Sequence, residues 1–443
     1  MPAGGSMWGL SKSGWRVPIA LAAAALLAVL TTTTHSQTVT GKAQHMTIAS
    51  SYPVTFASPR RDSALTTATA ATGTVTWSRN MQLNASPDWP PAILLWGERE
   101  VLVTYTTLIA VDRDGTALWR RPIQGGTPAA VGGGTLYAKG KHHFLEALDL
   151  NDRMVLDEAP FPGAMGDEVR VSLFWPEADS FLAALFQPGE DGTADGDPVD
   201  RRLRLDGMIV LKNRYPTTYG DWQKSFPGRS RLPPLLQPDS GILTLFTHEA
   251  IRVDMAGEQE LSRFAIPLEQ VTEWSVDTEG VYVVTGRSGG HNTLVALSAT
   301  GAELWRWVDS ETADPWAGRQ PPIRGAHGRV YALTEGRVLA IENGRLLWQF
   351  DARSDDLRHG AKLEEGSFEI KDGVLIAKGR LRHGSVLADG SLLVTRGRKL
   401  HHLNAQGAKI FTVEAASDIL SPPVVDAAGH IYVATASALL RID

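Results

Sequence analysis

Gly280-Val281-Tyr282-Val283-Val284, then Leu294-Val295-Ala296-Leu297-Ser298-Ala299-Thr300-Gly301, then Ala302-Glu303-Leu304-Trp305 is a unit that the chain repeats. It reads as two short apolar strands, a turn that ends on glycine, and a third strand that reaches Leu-Trp. A second copy runs Arg329-Val330-Tyr331-Ala332-Leu333, Val338-Leu339-Ala340-Ile341-Glu342-Asn343-Gly344 and Arg345-Leu346-Leu347-Trp348. A third runs Val101-Leu102-Val103, Leu108-Ile109-Ala110-Val111-Asp112-Arg113-Asp114-Gly115 and Thr116-Ala117-Leu118-Trp119. Weaker copies place the same strand at Leu136, Phe181, Ile242, Leu392 and Ile431, so the equivalent positions are 101, 136, 181, 242, 281, 330, 392 and 431.

Repeats of roughly 40–50 residues with several short strands each are the mark of a four-stranded propeller blade. One such sheet cannot bury both faces, so the copies must stack. Trp77, Trp119, Trp222, Trp305 and Trp348 fall in the outermost strand of each copy, where a large ring covers the seam to the next. The last copy stops after Leu439-Leu440-Arg441-Ile442 and lacks its outer strand. Gly73-Thr74-Val75-Thr76-Trp77-Ser78-Arg79 looks like an outer strand without the rest of a unit. Pairing the two completes the last sheet and removes an open edge. The predicted fold is therefore all-β: one propeller over residues 72–443, of eight four-stranded blades, closed by that pairing. Two long spacings hold insertions, the acidic stretch 189–200 and residues 353–384, the latter with an extra hairpin at Lys371-Asp372-Gly373-Val374.

The shared pattern Ala-x-Asp-x-x-Gly-x-x-Leu-Trp resembles the pyrroloquinoline-quinone (PQQ) repeat family. That family includes quinoprotein alcohol dehydrogenases and the propeller lipoprotein of the machine that assembles outer-membrane barrels. The resemblance implies a propeller, and either a quinone-dependent enzyme or an envelope scaffold. The repeated residues are structural, so they do not select between the two.

Composition narrows the choice. The 443 residues carry a net charge of −6 and no basic run, which argues against nucleic acid as a partner. With no cysteine, the chain has no disulfide, thiolate metal site, cysteine nucleophile or lipidated cysteine. It also lacks the adjacent cysteine pair that the resemblance implies beside a quinone. Residues 1–36 read as a signal peptide or membrane anchor: Lys12 and Arg16 precede the apolar run Val17–Leu30, and Thr34-His35-Ser36 offers a cleavage site. That run is short for a membrane span. Residues 37–71, rich in Ser, Thr and Ala, read as a flexible linker.

Few residues suggest chemistry. The loop Glu190-Asp191-Gly192-Thr193-Ala194-Asp195-Gly196-Asp197-Pro198-Val199-Asp200 lacks the spacing and closing glutamate of a calcium loop. His142-His143 and His401-His402 are adjacent pairs, and neighbours on a strand face opposite sides, so each pair offers a metal one ligand at most. Arg382-His383-Gly384, followed by Asp389-Gly390, is similar to a short histidine stretch of arylsulfotransferase propellers; His327 and His359 are looser His-Gly sites. Gly132-Gly133-Gly134 lacks the Lys-Ser/Thr of a phosphate loop and falls where each copy has a turn. Trp89, Trp175 and Trp316 are candidates for an exposed contact surface.

No catalytic, cofactor-binding or metal-binding residue is assigned, and neither PQQ nor calcium is expected. The sequence points to a monomeric, exported scaffold of the periplasm or cell surface that binds an envelope protein, peptide or glycan and meets the membrane only through its leader. The alternative is an envelope enzyme on the same propeller, PQQ-dependent or arylsulfotransferase-like. A funnel lined by convergent His, Arg and Asp would favour the enzyme.

Overall fold

The chain is shown here as a computed structural model. It describes residues 71–443 apart from 84–90, 97–99, 105–106, 123–128, 133–134, 140–143, 151–154, 161–169, 178–179, 187–207, 214–221, 226–234, 237–241, 246–248, 254–258, 278, 311–314, 318–319, 353–367, 372–373 and 378–380. All of these lie in the compact unit His45–Asp443. The leader and all but the last residue of the linker fall outside the described residues. No helix among the described residues is long and apolar enough to cross a membrane.

The described residues form eight four-stranded antiparallel sheets and one two-stranded hairpin. In chain order, sheet 1 is Ala92–Trp96, Glu100–Thr104, Thr107–Val111 and Ala117–Pro122; sheet 2 is Ala129–Gly132, Thr135–Lys139, Phe144–Asp149 and Val155–Pro160. Sheet 3 is Arg170–Glu177, Ser180–Phe186, Met208–Asn213 and Trp222–Ser225; sheet 4 is Leu235–Leu236, Ile242–Leu245, Glu249–Val253 and Glu260–Ala265. Sheet 5 is Gln270–Val276, Tyr282–Ser288, His291–Leu297 and Glu303–Asp309; sheet 6 is Ile323–Arg324, Arg329–Leu333, Arg337–Glu342 and Arg345–Asp351. Sheet 7 is Leu381–Val386, Leu392–Arg396, Lys399–Leu403 and Lys409–Glu414. Sheet 8 joins the two ends of the described residues: Val424–Val425, Ile431–Ala434, Ala438–Ile442 and then Val75–Asn80 as its outer strand. All eight repeat positions read from the sequence fall on or beside the second strand of their sheets. The hairpin expected near Lys371 is Phe368–Lys371 paired with Val374–Ala377.

The recurring Asp-x-x-Gly becomes a recurring turn between the third and fourth strands. Asp112 Oδ1 accepts from the backbone N–H of Asp114 and Thr116, and Asn404 Oδ1 does the same for Gln406 and Ala408. The side chain thus holds the turn closed against its own backbone. The glycine sits at positive φ, 79° at Gly115 and 81° at Gly407, where a side chain would be strained. It also lies under the outer aromatic of the preceding sheet. A Cβ on Gly407 would be 2.6 Å from the Trp348 ring, and one on Gly115 would be 2.9 Å from the Trp77 ring. The repeat's glycine and tryptophan are therefore two halves of one joint between successive sheets. Just after this turn, sheets 1, 2, 4, 5, 6 and 7 share a register shift between third and fourth strands.

The apolar core is divided among the seams. One cluster packs sheet 4 on sheet 5 through Leu243, Trp274 and Tyr282, and another packs 5 on 6 through Val283, Leu294 and Leu339. Ile323, Leu333 and Val394 lie between 6 and 7, and Leu393, Val413 and Val433 between 7 and 8. A further cluster joins the last sheet to the first: Trp77, Leu420, Tyr432 and Leu439 pack with Ile93, Leu95, Ile109 and Val111.

Candidate functional site

The first strands of sheets 5 to 8, or the segments leading into them, carry buried polar residues: Glu273 and Ser275, Gln320 and Arg324, His383 and Ser385, and Ser421. Gln320 and His383 reach across a seam, and Ser421 braces sheet 8. Gln320 Oε1 accepts from the Gly384 N–H at 3.1 Å. His383 Nε2 lies 2.9 Å from the Leu420 carbonyl, and Ser421 Oγ accepts from the Ala434 N–H at 2.7 Å. Beside them Ser385 Oγ donates to the Pro423 carbonyl at 3.2 Å. Gly384 permits this close packing, since a Cβ there would lie 2.6 Å from Ile323 Cδ1.

This geometry fixes the state of His383. A carbonyl only accepts, so Nε2 carries the proton and Nδ1 is a bare lone pair. Nδ1 faces no donor among the described residues. Burial, reinforced by the charge of Arg382, pushes the imidazole pKa down to about 3, against which the Leu420 carbonyl is a minor support. His383 is thus a neutral strut between sheets, 5% exposed, and not an open acceptor in a funnel. Its resemblance to a transferase histidine does not extend to that position.

A second group of polar residues stitches the sheets with ions. Arg337 of sheet 6 pairs with Asp309 of sheet 5 at 2.5 Å and donates to Gln349 Oε1 at 3.0 Å; both ions are nearly fully buried. Arg324 of sheet 6 pairs with Asp277 of sheet 5. The seam between sheets 8 and 1 has a larger hub. Asp426 Oδ2 accepts from Arg113 Nη1 at 2.9 Å, from Tyr432 Oη at 3.1 Å and from His430 Nδ1 at 3.0 Å. Burial would raise the Asp426 pKa, but its bonds from His430 and the Arg113 charge hold it below the ordinary carboxylate value. The Arg113 carbonyl accepts from Trp77 Nε1 and from Arg441 Nη1, both at 2.9 Å. Paired ions out of water stabilise only as complete sets, so each hub favours one arrangement of its two sheets.

The other histidines of sheet 7 are also structural. His401 and His402 face opposite sides of their strand, as the pattern predicts, yet both are buried, because that strand is covered on both faces. His402 Nε2 reaches Ser391 Oγ at 2.9 Å, and that hydroxyl donates to Asp389 Oδ1 at 2.6 Å. The serine proton is therefore committed to the carboxylate, and the histidine does not activate it. His327 lies in a short exposed 3-10 turn. No group of three or more potential metal ligands occurs among the described residues. Trp316 corrects an expectation: it is 6% exposed, donates from Nε1 to the Gly286 carbonyl at 2.7 Å and packs near Trp307, so it seals a seam and offers no contact surface. His142, His143, His359, Trp89 and the acidic loop lie outside the described residues, as does the side chain of Trp175.

One set of exposed residues is apolar and periodic. Leu118, Leu304, Leu347 and Ile410, each just before the outer aromatic, are 41–53% exposed; Leu261, Val308 and Leu346 are similar. All lie on outermost strands, at the rim of their sheets. The arginines, glutamines and carbonyls that build the seams escaped the sequence reading because they do not recur at fixed places in the repeat.

Residues 334–443 match the family described as outer membrane protein assembly factor BamB. No protein of curated function matches the chain in sequence. Among solved structures, quinohemoprotein alcohol dehydrogenase from Comamonas testosteroni is 11% identical, with TM-score 0.55 over 88% of this chain and 80% of that one. The computationally designed Ika8 protein is 10% identical, with TM-score 0.54 over 82% and 99%. BamB from Moraxella catarrhalis is 12% identical, with TM-score 0.43 over 84% and 99%. The matched segment holds sheet 7, three strands of sheet 8 and the last two strands of sheet 6, whose turns and tryptophan are the same as those of the earlier copies. The repeated sheets of this chain are thus similar to PQQ-like β-propeller repeats.

Proposed function

We propose that the eight sheets close into one propeller that serves as a non-catalytic protein-interaction scaffold in the bacterial cell envelope. Closure is supported by the apolar cluster between sheets 8 and 1 and by the Arg113–Asp426 hub across the same seam. The scaffold reading rests on one observation. In the described inner region His383 and Gln320 are spent on bonds between sheets and His401 and His402 on bonds within sheet 7, while the outer strands repeat exposed leucines. Apolar side chains beside unpaired strand edges are a liability unless covered. A protein partner that lies along the rim would cover them. Placement in the envelope is supported by the leader pattern at Val17–Leu30 and by the family match of residues 334–443.

Two measurements test this. A photo-cross-linking residue at Leu118, Leu304 or Ile410 in the native host is expected to give a discrete protein adduct, and one at the turn residue Thr300 none. A thermal-shift titration with PQQ plus calcium is expected to leave the melting temperature unchanged. A saturable rise would sink the scaffold reading, since a ligand that binds only the folded state must stabilise it.

A further inference from the structure

We infer that the seam between sheets 7 and 8 is an acid-opened joint, with His383 as its trigger. The seam is held near the inner strands by His383 Nε2 donating to the Leu420 carbonyl and by Ser385 Oγ donating to the Pro423 carbonyl. The opposite ring nitrogen, Nδ1, faces no acceptor among the described residues. A proton added there is a charge in a fully buried place with nothing to receive it. Among the described residues, no carboxylate acts on the ring. Next to it Gln320 of sheet 6's lead-in binds the Gly384 N–H, and sheet 8's lead-in offers the Leu420 carbonyl to the ring and the Pro423 carbonyl to Ser385. The charged group that acts on it is Arg382, beside it on the same strand, and that charge repels the imidazolium.

The closed seam therefore excludes the proton, and a seam that has opened to water admits it. Opening is coupled to protonation, and acid favours the open form. The sign follows from the directions: the closed-state pKa lies near 3 and the solvated value at 6.5. The closing contribution is complete above 6.5 and declines as the pH falls toward 3. From those two values the local opening constant rises about 30-fold between pH 7.5 and pH 5. The hub at the next seam behaves differently, because Asp426 is held ionised and is lost only at much lower pH. Mild acid would thus loosen one seam of the propeller and leave its neighbour closed.

The test is native-state hydrogen exchange on the full chain at pH 7.5 and pH 5, read as protection relative to the unfolded rate. The reporting amides are Leu420 and Ala434, which bond to the Ala434 carbonyl and to Ser421 Oγ. Their protection is expected to fall about 30-fold at pH 5, while amides of Tyr282–Ser288 in sheet 5 keep theirs. His383→Gln supplies an amide N–H for the Leu420 carbonyl and has no proton to gain, so it should abolish the fall. His383→Asn serves if the glutamine does not fold. His402→Gln removes the other buried histidine of sheet 7 and should leave the fall in place. No fall in the wild type, an equal fall in sheet 5, or a fall that survives His383→Gln would overturn the inference.

Discussion

Two turns in this molecule do the same work by different means. In sheet 7 the third and fourth strands are joined by Asn404–Ala408, with Asn404 N–H donating to the Ala408 carbonyl at 2.8 Å and Gly407 lying under Trp348. In sheet 8 the corresponding turn is divided between the ends of the described chain. Asp443 N–H donates to the Thr74 carbonyl at 2.8 Å, and Gly73, at positive φ, lies under Phe411. Even the register shift after the turn recurs, between Val75 and Trp77. The covalent link is missing, and in its place Thr74 N–H and Thr72 Oγ1 donate to the Asp443 carbonyl while Arg441 clamps the Asp443 carboxylate at 2.8 and 2.9 Å. The repeat's geometry is set by the joint between glycine and the preceding aromatic ring, and it survives a break in the backbone.

The largest test of that comparison is removal of residues 71–83. Sheet 8 then loses its outer strand, and the seam to sheet 1 loses Trp77, Met81 and Leu83 from its core. Loss of a buried tryptophan alone costs about 3–5 kcal/mol, so urea unfolding should show a loss of more than ~5 kcal/mol or no folded state. Next is pH. The folded chain holds His383 neutral, so its contribution of up to about 5 kcal/mol should decline between pH 6.5 and 3. The Asp426 hub should fail only below the ordinary carboxylate range, since its folded pKa is lowered. Denaturation curves of wild type and His383→Gln across pH 3–7 separate the two windows.

Arg337→Ala removes the buried cation paired with Asp309 and should cost about 3–5 kcal/mol. Arg263→Ala, which removes an exposed pair with Glu249 and Glu260, should leave the melting temperature unchanged. Equal effects would mean that the buried pairs do not define the seams. An effect smaller than that of Arg337→Ala is expected of Gly407→Ala and of Gly73→Ala. Each combines positive φ with a ring within 3 Å, and each should cost about 1–3 kcal/mol. If Gly73→Ala is silent, the divided turn does not carry the same joint.

The sheets were legible because their signals are local and periodic. Asp-x-x-Gly closes a turn on itself, and Leu-Trp marks the next strand wherever it occurs. The outer strand at Val75–Asn80 could be recognised for the same reason, although its partner is at the other end of the chain. The polar bonds of the seams were not legible. Arg113 and Asp426 are separated by 313 positions, and nothing near either residue announces the other. Trp316 was misread because it stands in a connecting segment, where sequence does not distinguish a ring folded over a seam from one facing solvent. His401 and His402 both proved buried because alternation assigns faces to a strand but not how many of its faces are covered.

The most direct test of closure is to supply the outer strand separately. The chain lacking residues 71–83 would be titrated with a synthetic peptide of residues 71–83 and its melting temperature followed. The account predicts a saturable rise, lost when the peptide carries Trp77→Ala, because the peptide reforms sheet 8 against sheet 1. A truncated chain that melts like the wild type and ignores the peptide would contradict it.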